Sequence, residues 1–296
     1  MSRKRFEWKL RDTTLLLGER TLLMGILNVT PDSFSDGGRY DDPDRAYVRA
    51  MELEDEGADI IDIGAESTRP GSARVPEAEE LRRLIPVLKR LRERVSVPIS
   101  VDTYKSGVAR KALELGAAII NDPSALTFDP ELAKVAAQGD SGLVLNHMRG
   151  TPETWAKLPP LKDALGTIAT DLEACVHRAL HSGVERGRIV VDPGLGFGKR
   201  REQNTEILAQ LSRLASLELP ILVGPSRKSF LSQPSGMQTE MATAAAVTVA
   251  ILGGAHIVRI HDIQAMKPVV QVADAVLSAS TPSLRQVPEE PARPRR

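Results

Sequence analysis

Polar residues stand directly after short apolar runs at eight places along the chain. Asn28 follows the first run, Asp102 the third, and Asn146 with His147 the fifth. The other five runs are followed by GAESTRPGS, by Asn121 and Asp122, by Asp192, by GPSRKS, and by His261 and Asp262. One polar residue at the end of an apolar run means little. Eight that converge on one mouth would form a site, so this pattern predicts an enzyme.

Cationic residues are concentrated after the last two runs. GPSRKSF places Ser226, Arg227, Lys228 and Ser229 where we expect a strand to enter a helix, and backbone N–H groups at such a point favour an anion. Arg259 and His261 alternate along the final run, so both project to one side. With Arg69 from the second loop, they predict a phosphate site above the sheet.

Hydrogen-bond acceptors predominate among the other polar residues that follow the apolar runs. Asp102, Asp192 and Asn121 suit a heterocycle that carries several N–H donors, because a buried carboxylate without a partner is costly. Asn28 offers a neutral carbonyl oxygen, which is a reasonable ligand for Mg²⁺ beside phosphates. The chain has no Ser-His-Asp elbow, Cys nucleophile or HExxH motif, and DPGLGFGK lacks the spacing of a phosphate-binding Walker loop. Its glycines predict a tight turn.

The elements that must position these residues are eight β/α units. The apolar runs cover residues 21–27, 59–63, 98–101, 117–120, 142–145, 188–191, 220–223 and 256–260. Continuous rather than alternating apolar strands are typical of a parallel sheet that is buried on both faces. Eight units in about 250 residues predict a (β/α)8 barrel, with a doubly wound open sheet as the alternative. The first 20 residues predict a short hairpin.

The amino-acid composition bears on the binding partners, the disulfides and the location that can be expected. The 296 residues carry 39 basic and 39 acidic side chains, which gives no sign of a nucleic-acid or membrane partner. The single cysteine, Cys175, excludes an intrachain disulfide, and we expect it to pack on a helix. Met241 to Val258 predicts a buried helix followed by a strand rather than a membrane span. We expect one domain over residues 1–279, a disordered Pro- and Arg-rich tail over 280–296, and a cytoplasmic location.

Six segments resemble one known family, in that family's order. GILNVTPDSFSDGG and GADIIDIGAESTRPGS resemble the two signature segments of the dihydropteroate synthases, and SVDTYK, IVVDPGLGFGK, GPSRKSFL and GAHIVRIHDI are similar to four more. The resemblance runs from Leu23 to Ile263. It implies a (β/α)8 barrel of folate biosynthesis, usually homodimeric and a sulfonamide target. It also implies that, with Mg²⁺, the enzyme joins 6-hydroxymethyl-7,8-dihydropterin diphosphate to 4-aminobenzoate.

The resemblance also implies roles for particular residues. Asp102, Asn121, Asp192 and Lys228 would hold the pterin, and Asn28, Arg69, Arg259 and His261 would hold the diphosphate, with the metal on Asn28. The 4-aminobenzoate site would be lined by Phe34, Pro70, Phe197, Lys228 and Ser229, with Thr68 between the two substrates. Asp36 in the first loop would favour a cationic intermediate, and that loop would close over the site as a lid.

The chain departs from the family pattern at four positions. Asn146 stands where a Met is expected, Pro123 replaces an aliphatic residue, Gln203 replaces a His, and Pro225 replaces a small residue. The first two should lie near the pterin. Two other interpretations share the barrel: a pterin-binding methyltransferase domain and an inactive pterin-binding paralogue. Lys228, Arg259, His261 and the TRPG loop argue against the methyltransferase, which binds no diphosphate. The intact lid and anion-binding residues, with Asn28 and Arg69 present, argue against the inactive paralogue.

Overall fold

The computed structural model describes residues 3–29, 43–66, 72 and 74–280. Its strands are β1 Phe6–Lys9, β2 Thr14–Leu17, β3 Leu22–Asn28, β4 Ile60–Gly64, β5 Ile99–Asp102, β6 Ile119–Asp122, β7 Gly142–Asn146, β8 Ile189–Asp192, β9 Leu222–Val223 and β10 Ile257–Ile260. Its helices are α1 Pro43–Glu56, α2 Glu77–Leu91, α3 Ser106–Glu114, α4 Glu131–Gln138, α5 Ala164–His181, α6 Arg201–Ala209, α7 Gly236–Leu252 and α8 Ile263–Ala279.

Eight parallel strands form a closed barrel. Their order is β8-β7-β6-β5-β4-β3-β10-β9. The two edges of this sheet meet where Val191 pairs with Ile221 and the Val191 N–H donates to the Pro220 carbonyl at 3.0 Å. The (β/α)8 prediction is therefore confirmed, and the open doubly wound sheet is excluded.

The strands are buried on both faces, as their continuous apolar runs predict. Successive side chains of a strand point to opposite faces, so alternate residues line the lumen. The lower lumen is filled by one apolar cluster, whose strand members are Leu22, Met24, Ile60, Ile119, Val144, Val190, Leu222 and Ile257. Their neighbours along the strands, such as Leu143 and Val191, belong to a second cluster that packs under the helices.

The N-terminal hairpin closes the bottom of the barrel. Strands β1 and β2 pair antiparallel, with Phe6 opposite Leu17. Trp8, Leu10 and Leu17 belong to the lumen cluster, and Trp8 is fully buried. The indole Nε1–H of Trp8 donates to the Arg188 carbonyl at 2.8 Å. The predicted hairpin is confirmed, and its Trp8, Leu10 and Leu17 side chains fill the bottom of the lumen.

Two local expectations are wrong. No helix begins at GPSRKS: Ser229–Leu231 form a single 3-10 turn, and α7 begins only at Gly236 with Ser235 as its N-cap. Ser226–Ser229 therefore do not lie at the N-terminus of a helix. Helix α7 is also not buried throughout, because Met237 and Met241 are 72% and 64% exposed. The expected tail lies almost entirely outside the described residues.

Candidate functional site

The predicted polar residues meet at the carboxyl end of the barrel. Asn121 follows Ile119 by two positions and Asp192 follows Val190 by two, so both continue the lumen-facing side of their strands. Arg259 follows Ile257 in the same way. The apolar lumen thus gives way to a polar layer at the top of the strands, which is where active sites of this fold lie.

Arg259 lies between two carboxylates. Its Nε donates to Asp62 Oδ2 at 2.6 Å, and one terminal nitrogen donates to Asp102 Oδ2 at 2.9 Å. The Asp62 side chain is fully buried, and the Arg259 side chain is 17% exposed. These two ion pairs hold the guanidinium down in the lumen, although the sequence suggested a position above the barrel beside His261.

The two predicted pterin-binding carboxylates hold protons more tightly than usual. Burial raises the pKa of Asp102 to about 7, against the opposing effect of the Arg259 charge. Burial also raises the pKa of Asp192 to about 6, although the Gly194 N–H donates to its Oδ1 at 2.7 Å. Both groups therefore ionise near neutral pH, so both can serve as acceptors for ligand N–H groups.

Asn121 and Asp122 have different positions despite being neighbours in sequence. Asn121 Nδ2 donates to Asp62 Oδ2 at 3.1 Å, which leaves its side-chain carbonyl oxygen as an acceptor. Asp122 is buried away from the lumen and accepts from the backbone N–H groups of Ser124 and Leu126 at 2.8 and 2.6 Å. Asp122 is therefore a structural residue of the following loop.

Lys228 and Phe197 form one wall of the site. Lys228 Nζ lies 4.1 Å from the centroid of the Phe197 ring, a cation–π contact. Burial, together with the charge of Arg259, lowers the pKa of Lys228 to about 8. Ser229, the next residue in the chain, is exposed. The structure thus brings together two of the five residues expected to line the 4-aminobenzoate site, Lys228 and Phe197.

The loop that carries Phe197 depends on glycine. Gly194, Gly196 and Gly198 have φ angles of +68°, +81° and +69°, which other residues rarely adopt. A side chain on Gly194 would also come within 2.0 Å of the His147 carbonyl oxygen. The predicted tight turn after the sixth barrel strand is confirmed.

His261 is held against the loop that carries Lys228. Its Nδ1 lies 2.8 Å from Ser226 Oγ, and its backbone N–H donates to the same oxygen at 3.2 Å. This contact joins the end of β10 to the loop after β9. His261 and Lys228 therefore lie on the same side of the mouth.

Asn28 lies at the end of β3, opposite Gly64 of β4. A Cβ atom on Gly64 would lie 3.8 Å from both Asn28 Oδ1 and Asp102 Oδ2, so the glycine keeps the space between these two oxygens open. Among the described residues no group of three His, Cys, Asp or Glu could hold a metal ion. Asn28 Oδ1 is a neutral oxygen of the kind that could hold Mg²⁺ beside phosphates.

Five predicted residues lie outside the described part of the chain. They are Phe34, Asp36, Thr68, Arg69 and Pro70. Their roles, and the lid formed by the first loop, stay predictions.

Two buried charges in the site were missed by the sequence analysis. Asp62 stands inside the run DIIDI rather than after it, and its Oδ1 has no hydrogen-bond partner among the described residues. Lys199 Nζ donates to the His147 and Gly194 carbonyls, both at 2.7 Å, and so ties the loops after β7 and β8 together. The sequence signal that could have identified Asp62 is a charged residue inside an otherwise apolar strand.

A separate cavity of about 860 Å³ lies at the opposite end of the barrel. Its lining includes Leu15 and Leu16 of the hairpin together with residues that precede β5, such as Val97 and Pro98. None of the predicted site residues lines it. The polar layer at the carboxyl ends of the strands therefore remains the candidate site.

Comparison with known proteins shows the family to which the chain belongs. The family described as pterin binding enzyme matches residues 24–261. A dihydropteroate synthase of Synechocystis sp. is 47% identical over 88% of this chain and 91% of its own length. The chain belongs to the dihydropteroate synthase family. Membership makes it a transferase of folate biosynthesis.

Solved structures of the dihydropteroate synthase family share the fold. One from Clostridium difficile, crystallised in the presence of pteroic acid, has a TM-score of 0.82 at 42% identity and covers 88% of this chain and 98% of its own. One from Xanthomonas albilineans with 4-aminobenzoic acid has a TM-score of 0.84 at 38% identity and covers 93% and 100%. Among the described residues, no helix is long and apolar enough to cross a membrane.

Proposed function

We propose that this chain joins 6-hydroxymethyl-7,8-dihydropterin diphosphate to 4-aminobenzoate, giving 7,8-dihydropteroate and diphosphate. The observation that carries the proposal is the polar layer of the lumen. There, Asp102, Asn121 and Asp192 offer acceptors beside the cations Lys228 and Arg259. A pterin carries an amino group and ring N–H groups on one edge and a carbonyl oxygen beside them. This donor and acceptor pattern fits the layer.

The acceptors bind the heterocycle and fix its direction. Asp192 and Asn121 take the N–H edge, and Lys228 donates to the ring carbonyl. The reacting methylene then points to the mouth, where His261, Lys228 and the expected Arg69 are close to the leaving diphosphate. Preorganised cations of this kind stabilise the charge that develops on a leaving group.

Bond breaking runs ahead of bond making in this proposal. The carbon–oxygen bond to diphosphate breaks, and the electron-rich pterin stabilises the cation-like methylene. The amine of 4-aminobenzoate then forms the carbon–nitrogen bond and loses a proton to the departing diphosphate or to water. An aromatic amine is already a nucleophile, so no strong base is needed.

Mg²⁺ belongs to the proposal as a partner of the substrate diphosphate. Its one protein ligand would be Asn28 Oδ1, beside the space that Gly64 keeps open. When bound, the ion would neutralise diphosphate charge.

The proposal includes a homodimer in the cytoplasm. Helices α7 and α8 pack together and present exposed apolar residues, which are Met237, Met241, Val249, Leu252, Val272 and Val276. Clustered exposed apolar side chains of this kind mark protein interfaces. A chain whose one cysteine forms no intrachain disulfide is typical of a reducing compartment.

Formation of dihydropteroate tests the function. The full chain is incubated with both substrates and Mg²⁺, then with EDTA, and product is measured by chromatography. We expect metal-dependent product, and Asn28→Ala should need ~10-fold more Mg²⁺ for half-maximal rate, as loss of a metal ligand or its support commonly requires. Tight pterin binding without product would instead support the inactive paralogue or the methyltransferase domain.

A further inference from the structure

Asn146 occupies a lumen position beside a predicted pterin-binding residue. It ends β7, in which Val144 faces the lumen while Leu143 and Leu145 pack under the helices. The alternation of the strand therefore directs Asn146 into the barrel. Its register partner on β8 is Asp192, and the Asn146 side chain is buried.

One hydrogen bond fixes the orientation of the Asn146 amide. Its Nδ2 donates to the Pro123 carbonyl at 2.8 Å. A carbonyl oxygen only accepts hydrogen bonds. Exchanging the oxygen and nitrogen of the Asn146 amide would therefore leave two acceptors, Asn146 Oδ1 and the Pro123 carbonyl, facing each other. Asn146 Oδ1 is thereby presented as an acceptor, and within the described ranges no group donates to it. The two departures from the family pattern nearest the lumen, Asn146 and Pro123, thus form one contact.

Asp192 divides its acceptor sites between the protein and a ligand. Its Oδ1 already accepts the Gly194 N–H, so its other oxygen is the less occupied acceptor for a ligand. An amino group has two N–H donors, and a buried donor that loses water without gaining a partner is costly. The neighbouring Asn146 Oδ1 can accept the second N–H.

We propose that Asn146 is a specificity-determining residue that accepts one hydrogen of the pterin amino group, while Asp192 accepts the other. The inference rests on the proposed function, because it requires Asp192 to hold that edge of the pterin. It assigns to this chain a preference for a primary amino group over an alkylated one. A hydrogen-bonding site rejects an analogue that lacks the donor more strongly than an apolar wall does.

Binding of two ligands tests the proposal. The affinities of 6-hydroxymethylpterin and its 2-methylamino analogue are measured by calorimetry on the full chain and on Asn146→Met. We expect the wild-type chain to bind the primary amine ~10-fold or more tightly than the methylated amine. The methylated ligand loses one hydrogen bond to a buried acceptor. The preference should fall below ~3-fold in Asn146→Met, because the flexible thioether side chain tolerates a methyl group.

Two further variants control the measurement. Pro123→Ala keeps the backbone carbonyl that orients Asn146 and should keep the wild-type preference. Asn146→Ala should lose the preference as Asn146→Met does. It takes the place of Asn146→Met in the measurement if that variant does not fold. An unchanged preference in a folded Asn146 variant overturns the inference alone. A wild-type chain that binds neither ligand overturns both the inference and the proposed function.

Discussion

Arg259 decides how the charges of the candidate site are arranged. It is the shared partner of Asp62 and Asp102, and Asp62 also accepts from Asn121. Asp62 therefore sets the position of two residues expected to contact substrate. Its own charge raises the pKa of Asp102 further, after the larger effect of burial.

Replacing Asp62 by Asn should impair pterin binding and alter the pH dependence. Arg259 loses one ion pair, and Asn121 loses a charged acceptor, so we expect the KM for the pterin diphosphate to rise ~10-fold or more. The pKa of Asp102 should fall, because a like charge is removed and Arg259 can approach more closely. The acid limb of kcat/KM should then move to lower pH in steady-state assays.

Ser100→Ala is the matched control for that variant. Ser100 is the register partner of Asp62 on β5 and is fully buried, but it carries no charge. We expect its KM to stay within ~3-fold of the wild-type value, as for loss of one neutral hydroxyl. Equal effects of the two variants would mean that Asp62 acts through packing rather than charge.

The wild-type protein should show a bell-shaped dependence of kcat/KM on pH. Below about pH 6 to 7, Asp192 and Asp102 gain protons and stop acting as double acceptors, since burial holds their pKa values at about 6 and about 7. Above about pH 8, Lys228 loses its proton and its positive charge, since burial lowers its pKa to that value. Initial rates at low pterin concentration from pH 5 to 9.5 measure both limbs. A flat profile across this range would contradict the assigned protonation states.

The site residues at strand ends could be predicted from the sequence, but the charged residue inside a strand could not. Asp102, Asn121 and Asp192 each follow an apolar run, so their position alone marks them. Asp62 interrupts DIIDI, and in a parallel sheet both faces are apolar, so the sequence does not show which face of a strand is the lumen. The two ion pairs of Arg259 likewise depend on the closure of the barrel, which brings β10 within reach of β4 and β5.

At the scale of elements, the hairpin of β1 and β2 covers the bottom of the barrel. Trp8 is fully buried there, and a Cβ on Gly142 would lie 3.0 Å from its ring and 2.5 Å from Leu10. The hairpin is thus packed tightly against the amino ends of the strands. It stabilises the barrel without touching the polar layer.

Trp8→Ala should therefore destabilise the protein while leaving its chemistry intact. Loss of a fully buried Trp should lower the free energy of unfolding by ~3–5 kcal/mol. Urea unfolding followed by circular dichroism measures this change. Leu16→Ala is the control on the same hairpin: Leu16 is 61% exposed, and its loss should change stability by less than ~0.5 kcal/mol. Loss of kcat in a folded Trp8→Ala protein would contradict a purely structural role for the hairpin.

The strands were easier to predict than the segments between them. Each barrel strand is a short Val- and Ile-rich run, and the predicted bounds lie within two residues of the observed ones. A helix was wrongly predicted directly after β9. There Arg227 adopts a left-handed φ of +54°, and its backbone N–H donates to Thr243 Oγ1. Arg227 also pairs with Glu240 across 13 residues, a contact that local sequence cannot show.

At the scale of the whole molecule, the exposed face of α7 and α8 is the feature that the barrel does not explain. Composition alone suggested that α7 is buried, because the helix contains one charged residue, Glu240. In the structure one side packs on the barrel and on α8, and the other side is exposed and apolar. A second copy of the chain would bury that side.

Val272→Asp should convert a dimer into a monomer. A charge at the centre of an apolar interface must be desolvated without a partner, which costs several kcal/mol. Analytical ultracentrifugation should show a mass of two chains for the wild type and one for Val272→Asp. Val48→Asp is the matched control, since Val48 is 52% exposed on α1, away from this face. A wild-type monomer, or a dimer that Val272→Asp leaves unchanged, would contradict the proposed interface.

The most direct test of the account is a crystal structure of the protein with the pterin diphosphate bound. We expect the pterin in the lumen, with its amino edge on Asp192, Asn121 and Asn146, its carbonyl near Lys228, and the diphosphate at the mouth beside His261 and Asn28. A pterin bound elsewhere, in the cavity beneath the hairpin or on the outer surface, would contradict the assignment of the lumen as the active site.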